Sequence, residues 1–252
     1  GPPLLCRLPD RLLIGPTMKI RWPLFVRRFH KWLALIIGLQ VVFWTATGFY
    51  MVVVHIDRIH GDHLIKPAPA QVLDVERMVS PEDALRRYPG ATEMRSSSLL
   101  GRTVWEISGP SGMKLVDAGT GEVLRPVTRD EAAAVAREIY AFDEPIRSVE
   151  LLTSAPMEMQ GRKPPYWQVV FDRWDSPAFY ISPESGALIS RRHSLWRIFD
   201  FAWMLHIMDY DERSDINNPL LRISTWLAVL MALTGAWLLV WAFPKRRKKK
   251  KR

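Results

Sequence analysis

Two long apolar runs interrupt an otherwise mixed pattern of hydrophobic and polar positions. Residues 32–54 and 223–243 contain no charged side chain. A helix of about 20 residues is about 30 Å long, which is the thickness of the hydrocarbon core of a bilayer. The pattern therefore predicts two transmembrane helices, over residues 32–54 and 220–243.

Between these runs the pattern changes to short helical and extended segments. Ser80 precedes Pro81 in one helical segment (80–90), and Thr128 lies three residues before Glu131 in another (128–140), as in a capping box. Alternating runs that predict strands follow each helix. After the first they are 102–107, 113–118 and 122–127, and after the second they are 146–152, 166–172, 178–182 and 187–192.

The two segments form an internal repeat. "LVDAGTGEVL" (115–124) aligns with "YISPESGALI" (180–189), with Gly121 and Gly186 in the turns. The helix caps lie 48 positions apart and the turns 65, so the second unit has about 17 extra residues, which we assign to a loop at 153–165. Loops of this length in compact domains are usually functional or mobile.

The predicted fold class is α+β, with two transmembrane helices flanking two helix-plus-antiparallel-strand units. The predicted segments are an N-terminal segment (1–31), the first span (32–54), a linker (55–78), the first unit (79–127), the second unit (128–192), an interfacial amphipathic helix with an acidic loop (193–219), the second span (220–243) and a basic tail (244–252).

The net charge of +9 is unevenly distributed. Residues 1–31 carry +6, residues 55–219 carry −6 from 19 basic and 25 acidic side chains, Arg222 adds +1 and the tail adds +8. Basic flanks stay in the cytoplasm, so both termini are predicted there and the enclosed domain on the far side. The tail is also a pattern for nucleic-acid binding or localisation, but beside a span it favours an anchor on anionic lipid.

The N-terminal segment adds two expectations. Cys6 is the single cysteine, which excludes a disulfide framework. Met18 opens a sequence typical of a natural start, so we expect residues 1–17 not to be part of the native protein.

The chain resembles a known family in both the spans and the repeat. The alanine-rich helix and "VDAGTGEVL" resemble the PepSY domain, and "LHIMDY" also fits the family, whereas Ala34 stands where the family commonly has glycine. The first span resembles the PepSY-associated transmembrane family at Arg27, Arg28, His30, Trp32, Leu33, Gly38, Thr47 and Gly48. The resemblance implies a bacterial inner-membrane protein with a periplasmic domain made of two PepSY-like units, related to iron-regulated proteins that reduce ferric siderophores with haem.

Three of the six histidines are candidate ligands of b-type haem. His30 and His55 bracket the first span, 25 residues or about 37 Å apart along a straight helix, so they cannot share one haem. His206 lies 14 residues before Leu220, so it is predicted on the same side of the membrane as His55. Bis-histidine ligation needs rigid elements and apolar walls, and Trp196, Phe199, Trp203 and His206 fall on one helical face. The same stripe is equally consistent with a helix that lies at the membrane interface.

A second, weaker pattern concerns a divalent metal. His60 and His63, with Asp57 and Asp62, lie within nine residues in "HIDRIHGDH". Imidazole and carboxylate groups are ligands for such ions. No second cluster with matching spacing accompanies them.

Hydrolytic chemistry finds no support in the sequence. There is no nucleophile elbow, no His-Glu-x-x-His and no phosphate loop. The acidic run Asp209, Asp211, Glu212 and Asp215 is predicted to face solvent or to attract ferric complexes or a basic partner.

Small residues in the spans predict helix association. Ala228, Ala232 and Ala236 share one ridge, as do Ala34 and Gly38. Two spans do not easily enclose a haem, so we expect a homodimer or a larger membrane complex.

Two functions are consistent with these patterns. One is haem-dependent electron transfer or ferric iron reduction, which needs an electron-donor protein or a second haem. The other is a membrane-tethered interaction or regulatory module without a cofactor, such as an inhibitor or assembly factor of proteases or envelope enzymes. The histidines at both membrane boundaries favour the first.

Overall fold

The computed structural model describes residues 21–67, 75–110 and 112–242 of the chain. The predictions for Cys6, for residues 1–17 and for the basic tail lie outside these residues. The chain divides into two compact units, residues 1–42 with 219–252 and residues 43–218. The described residues form an α+β fold.

Two helices are long and apolar enough to span a membrane, α1 (Trp22–Val53) and α6 (Pro219–Ala242). Helix α1 begins ten residues before the predicted span, at Trp22 instead of Trp32. Pro23 in its first turn is compatible with a helix start, and the arginine and lysine side chains that follow have high helix propensity. The charged segment before the apolar run therefore continues the helix.

The long helices of the compact unit formed by residues 1–42 and 219–252 expose apolar side chains. Leu35, Ile36 and Leu39 of α1 are 67 to 70% exposed, whereas Leu33 is 5% exposed. Exposed leucine and isoleucine at this density are unfavourable in water and favourable in lipid, where both helices satisfy their backbone hydrogen bonds internally. The two helices therefore mark a membrane protein.

The linker after α1 is partly ordered by hydrogen bonds. It contains α2 (Ile56–His60) and two 3-10 helices (Asp62–Leu64 and Val75–Arg77). Ala141 N–H donates to the Leu64 carbonyl, and Lys66 N–H donates to the Ile139 carbonyl. These bonds attach the linker to the end of the long helix of the second repeat.

The first repeat consists of α3 (Pro81–Arg87) and an antiparallel sheet in the order β1 (Glu93–Leu99), β2 (Arg102–Gly109) and β3 (Gly112–Asp117). The predicted cap is confirmed, because the Ser80 hydroxyl accepts the Asp83 N–H. Strand β1 was missed by the prediction. The predicted strand 122–127 is wrong, since it is reduced to one bridge between Val116 and Val123.

The second repeat consists of α4 (Arg129–Ile139) and a sheet in the order β4 (Ile146–Leu152), β5 (Tyr166–Phe171), β6 (Ala178–Ile181) and β7 (Leu188–Arg192). The capping box of Thr128 and Glu131 is confirmed. The backbone N–H of Thr128, with Arg125, lowers the pKa of the Glu131 carboxyl to about 2. Local sequence signals therefore determine where this helix begins.

Both faces of the second sheet are covered. Val135, Ala136 and Tyr140, from α4 and its C-cap, pack on one face. A short 3-10 helix (Met157–Met159) inside the predicted loop 153–165 covers the other, where Met159 is fully buried. All four residues of β6 are consequently buried. The long loop thus packs against the sheet through Met159, whereas most of its other residues are exposed.

The two repeats end in equivalent turns. Gly121 and Gly186 have φ of +76° and +71°, and their N–H groups donate to the carbonyls of Asp117 and Ser182. Glycine adopts this left-handed conformation without a steric penalty. Helix α5 (Ser194–Ile207) follows the second repeat and leads into the acidic loop before α6.

Candidate functional site

The imidazole of His206 is held at the C-terminal end of α5 by the second half of α1. Its Nδ1 lies 2.9 Å from the Thr47 hydroxyl, and the Trp44 indole N–H donates to the His206 carbonyl over 2.7 Å. Gly48 lies beside the ring, and a Cβ there would be 3.8 Å from Cε1. We call these four residues the His206 site.

The hydrogen bonds of Thr47 determine the tautomer of His206. The Thr47 hydroxyl donates to the Phe43 carbonyl over 2.6 Å, as threonines in helices commonly do. Its single hydrogen is then used, so Nδ1–H of His206 donates to the hydroxyl oxygen. Nε2 therefore carries a lone pair, and it has no hydrogen-bond partner among the described residues. Histidines that ligate metals in proteins usually donate their other ring N–H in the same way.

Aromatic side chains continue from His206 along α5. Trp203 stacks on His206 with centroids 6.5 Å apart, and Phe199 stacks on Trp203 at 6.3 Å. Trp196 instead lies under the guanidinium of Arg192, 3.8 Å from its centroid. Three of the four residues of the predicted stripe therefore form one stack that ends at the imidazole.

His30 is held in the same manner in the other unit. Its Nδ1 lies 2.9 Å from the Thr234 hydroxyl, which itself donates to the Leu230 carbonyl over 2.8 Å. Gly235 lies against the ring, where a Cβ would be 3.2 Å from Cε1. Nε2 has no hydrogen-bond partner in the described ranges. His30, Thr234 and Gly235 form the His30 site.

The two sites share a sequence signal, of which the family resemblance included only Thr47 and Gly48. Each helix that receives a histidine carries a Thr-Gly pair, in "ATGF" (46–49) and "LTGA" (233–236). Threonine orients the ring, and glycine leaves room for it to approach. The recurrence of this pair in both spans is the sequence feature that could have indicated the two sites.

An open groove adjoins the His30 site. It has a volume of about 440 Å³ and a mainly apolar lining, with Thr234 among its walls. The other lining residues are Trp22, Val26, Leu233 and Trp237. The groove thus places apolar and aromatic surface beside the threonine that holds His30.

His55 occupies a different environment. It caps α2, with Nδ1 3.3 Å from both the Asp57 N–H nitrogen and an Asp57 carboxylate oxygen, and its side chain is 71% exposed. No hydrogen bond or ring contact joins it to His206 among the described residues. Among the described residues, no aromatic ring stacks on His55 as Trp203 does on His206.

His60 and His63 are both exposed, and their partners differ from the predicted ones. The His60 carbonyl accepts from Arg191, which also pairs with Asp62. The His63 ring packs edge-on against His193, 5.6 Å away. Within the described ranges, no group of three or more His, Cys, Asp or Glu side chains is arranged to hold a metal ion.

His193 is a buried histidine that the sequence analysis did not single out. It is 1% exposed at the N-terminus of α5, and its Nε2 lies 3.2 Å from the Ile59 carbonyl. Burial lowers the pKa of His193, and burial together with the Arg173 charge lowers that of His63. His193 joins the segment that leaves α1 to the start of α5.

The acidic loop after α5 has a structural role at one position. The Asp209 carboxylate accepts the backbone N–H groups of Ser214 and Asp215. The N–H of Asp215, with its neighbours, lowers the pKa of Asp209. Asp200 pairs with Arg213 and not with His206. The other acids of the run, Asp211, Glu212 and Asp215, are exposed as predicted.

Comparison with known proteins identifies the family. The family model described as the PepSY-associated TM region matches residues 27–252. No curated protein and no solved structure matches the chain significantly. The matched region includes α1 from Arg27 onward, both repeats and α6, with the threonine and glycine residues at both sites. The chain therefore belongs to the PepSY-associated transmembrane family.

Proposed function

We propose that this membrane protein binds b-type haem through Nε2 of His206 and of His30, and that it takes part in electron transfer toward ferric iron. The supporting observation is the repeated histidine arrangement. At each site Nδ1–H is held by a threonine hydroxyl and Nε2 has no partner among the described residues. The two sites lie in separate units and are treated as independent.

The residues present fit a haem ligand in three respects. Fixing Nδ1–H selects the tautomer whose Nε2 binds iron and restricts rotation of the ring. The Thr-Gly pair leaves space beside the imidazole at both sites. The stack of Trp203 and Phe199 at one site and the apolar groove at the other supply surface that excludes water. His55 lacks this environment, so it has the weakest claim of the three predicted ligands.

When bound, haem supplies reversible one-electron chemistry at iron. The protein's own residues set the orientation and basicity of the ligand. Thr47 and Thr234 accept a hydrogen bond from Nδ1–H, which increases electron donation by the imidazole. Trp44 holds the end of α5 by its backbone, so the position of His206 does not depend on the ring alone. Apolar neighbours keep water away from the site.

The predicted dimer remains part of this proposal. Ala232 and Ala236 of α6 are exposed, and no described atom lies within 4 Å of a Cβ built on Gly38. Close approach of a second copy is therefore sterically possible along these ridges. A second copy would add protein surface around each haem.

The test is the absorption spectrum of the full chain purified in detergent and supplied with haem. We expect a Soret band that shifts on reduction with dithionite, and its loss in the double variant His30→Ala with His206→Ala. His60→Ala, which changes an exposed histidine outside both sites, is the matched control. A folded, colourless wild-type protein would overturn the proposal in favour of the cofactor-free interaction or regulatory module.

A further inference from the structure

Residues of the loop 153–165, helix α5 and the acidic loop line a second, open cavity, and His206 is not among its lining residues. Its volume is about 320 Å³, at the lower end of the usual range for small-ligand sites. The side chains that matter for its chemistry are Met157, Glu158, Trp196, Arg197, Asp200 and Arg213. It therefore combines two acids and two bases with apolar walls.

One of the two ion pairs in this cavity is fully satisfied. Arg197 binds the Glu158 carboxylate through Nε at 2.7 Å and Nη2 at 3.2 Å, and its Nη1 donates to the Ser176 carbonyl. The Tyr180 hydroxyl also donates to Glu158. This pair fixes the loop against α5, and each guanidinium nitrogen of Arg197 has an oxygen acceptor.

The other guanidinium is only partly satisfied. Nη1 of Arg213 pairs with Asp200, and Nη2 lies 2.7 Å from the thioether sulfur of Met157, which is a weak acceptor. Nε is buried and has no hydrogen-bond partner among the described residues. The Nε and Nη2 donors thus lack a strong acceptor, and they form the edge that binds a carboxylate with two parallel hydrogen bonds.

The backbone holds Arg213 in this position. Its φ is +57°, which is uncommon for a residue with a side chain. The Trp203 indole donates to the Arg213 carbonyl over 3.1 Å, and Asp209 accepts from the next two N–H groups. Strained backbone of this kind is often found at ligand sites.

We propose that this cavity binds a monocarboxylate that carries an aromatic or apolar group. The carboxylate accepts from Nε and Nη2 of Arg213 after the Met157 side chain, which is 61% exposed, rotates away. The apolar part lies against Trp196 and Pro156. Glu158 and Asp200 disfavour a second negative charge on the ligand. The proposal is independent of haem binding.

Ligand-observed NMR titration of the full chain in detergent tests the site, with benzoate as the probe and benzamide as the uncharged control. We expect benzoate to bind and benzamide not to bind. Arg213→Lys retains the charge but loses the two-donor edge, and it should weaken benzoate binding at least about 10-fold. Arg162→Lys, at an exposed position of the loop 153–165, is the control and should bind as the wild type does.

Met157→Leu keeps the bulk of the side chain and removes the competing sulfur, so it should bind benzoate more tightly than the wild type. This variant also keeps the proposal testable if Arg213→Lys fails to fold. Equal binding of benzoate by the wild type and Arg213→Lys would overturn the proposal, as would absence of binding to every probe.

A short peptide with an apolar C-terminal residue distinguishes the source of the carboxylate. Binding of the free-acid peptide, with no binding of its amide or of benzoate, would assign the site to the C-terminus of a partner protein. Binding of benzoate supports a small-molecule acid. Haem content should be unchanged in all of these variants, so this test and the haem test fail independently.

Discussion

The His206 and His30 sites hold their imidazoles by the same hydrogen bond to a threonine, but more contacts surround His206. Both rings donate Nδ1–H to a threonine that is itself bonded to its own helix. His206 has in addition the Trp44 bond to its carbonyl and the Trp203 stack, whereas His30 has a hydrogen bond to Thr234 and lies close to Gly235. A shared pairing of histidine with threonine can therefore be combined with rigid or adaptable surroundings.

Single substitutions give the largest effect and test whether the two sites are separate. His206→Ala and His30→Ala should each remove about half of the haem that the wild type binds, because each removes one ligand set. The measurement is haem per chain by the pyridine haemochrome method. Complete loss in both single variants would instead show that one haem depends on both histidines.

Removing the threonine hydroxyls should have a smaller effect. Thr47→Val and Thr234→Val keep the side-chain shape and leave Nδ1–H without its acceptor, so haem affinity should fall about 10-fold or more at the affected site. The reduction potential should rise, because a less basic imidazole stabilises ferric iron less. Spectroelectrochemical titration separates this from a packing defect, and Thr45→Val on the same helix is the control.

The glycines should respond differently at the two sites. Gly235→Ala places a Cβ 3.2 Å from the His30 ring, a contact that overpacks the site and should weaken haem binding about 5-fold. Gly48→Ala places it at 3.8 Å, which is an ordinary contact, and should leave haem binding unchanged. Haem titration of both variants provides the comparison. Equal behaviour would show that glycine does not control the approach of the ring.

The Trp44 bond predicts a stability difference that does not require haem. Trp44→Phe keeps an aromatic ring and loses the hydrogen bond to the His206 carbonyl, which should cost about 1 kcal/mol. Thermal unfolding of the purified chain measures it. Trp32→Phe, at a residue 58% exposed, is the control and should be neutral.

Mild acid should lower the stability of the compact unit of residues 43–218, because His193 becomes protonated. Because burial lowers the pKa of His193 in the folded state, the unfolded state binds the proton more readily. The stability that neutral His193 contributes is fully present above the ordinary histidine pKa of about 6.5 and is lost as the pH falls toward the lowered value. His63 has the same sign, whereas Asp209 acts only in more acidic solution.

Unfolding temperatures between pH 7.5 and 5.5 should therefore fall for the wild type. His193→Gln, which cannot titrate, should reduce this pH dependence. An unchanged slope in the variant would assign the effect to other groups.

Local sequence signals predicted the helices other than the short α2, and they predicted most of the second sheet. Strands β4 to β7 have branched and aromatic residues in short runs, and the caps at Ser80 and Thr128 are set by residues three positions away. Strand β1, "EMRSSSL", has weak strand propensity, and its conformation follows from pairing along the whole of β2. The segment 122–127 contains Pro126, which cannot donate to a sheet.

The candidate ligands were predictable, but most of their partners were not. Periodicity and the family resemblance pointed to His206 and His30. The residues that hold them are 159 and 204 positions away in sequence, at Thr47 and Thr234. His193 and Arg213 depend on burial and on loop conformation, which single-sequence patterns do not report.

The hydrogen bond from Trp44 to the backbone carbonyl of residue 206 attaches α5 to α1 independently of the side chain at that position. An indole that contacts a carbonyl does not depend on which side chain that residue carries. A substitution at position 206 can therefore change the side chain at the site while this hydrogen bond between α1 and α5 is retained. The side chain at position 206 can thus be exchanged by a single codon without detaching helix α5.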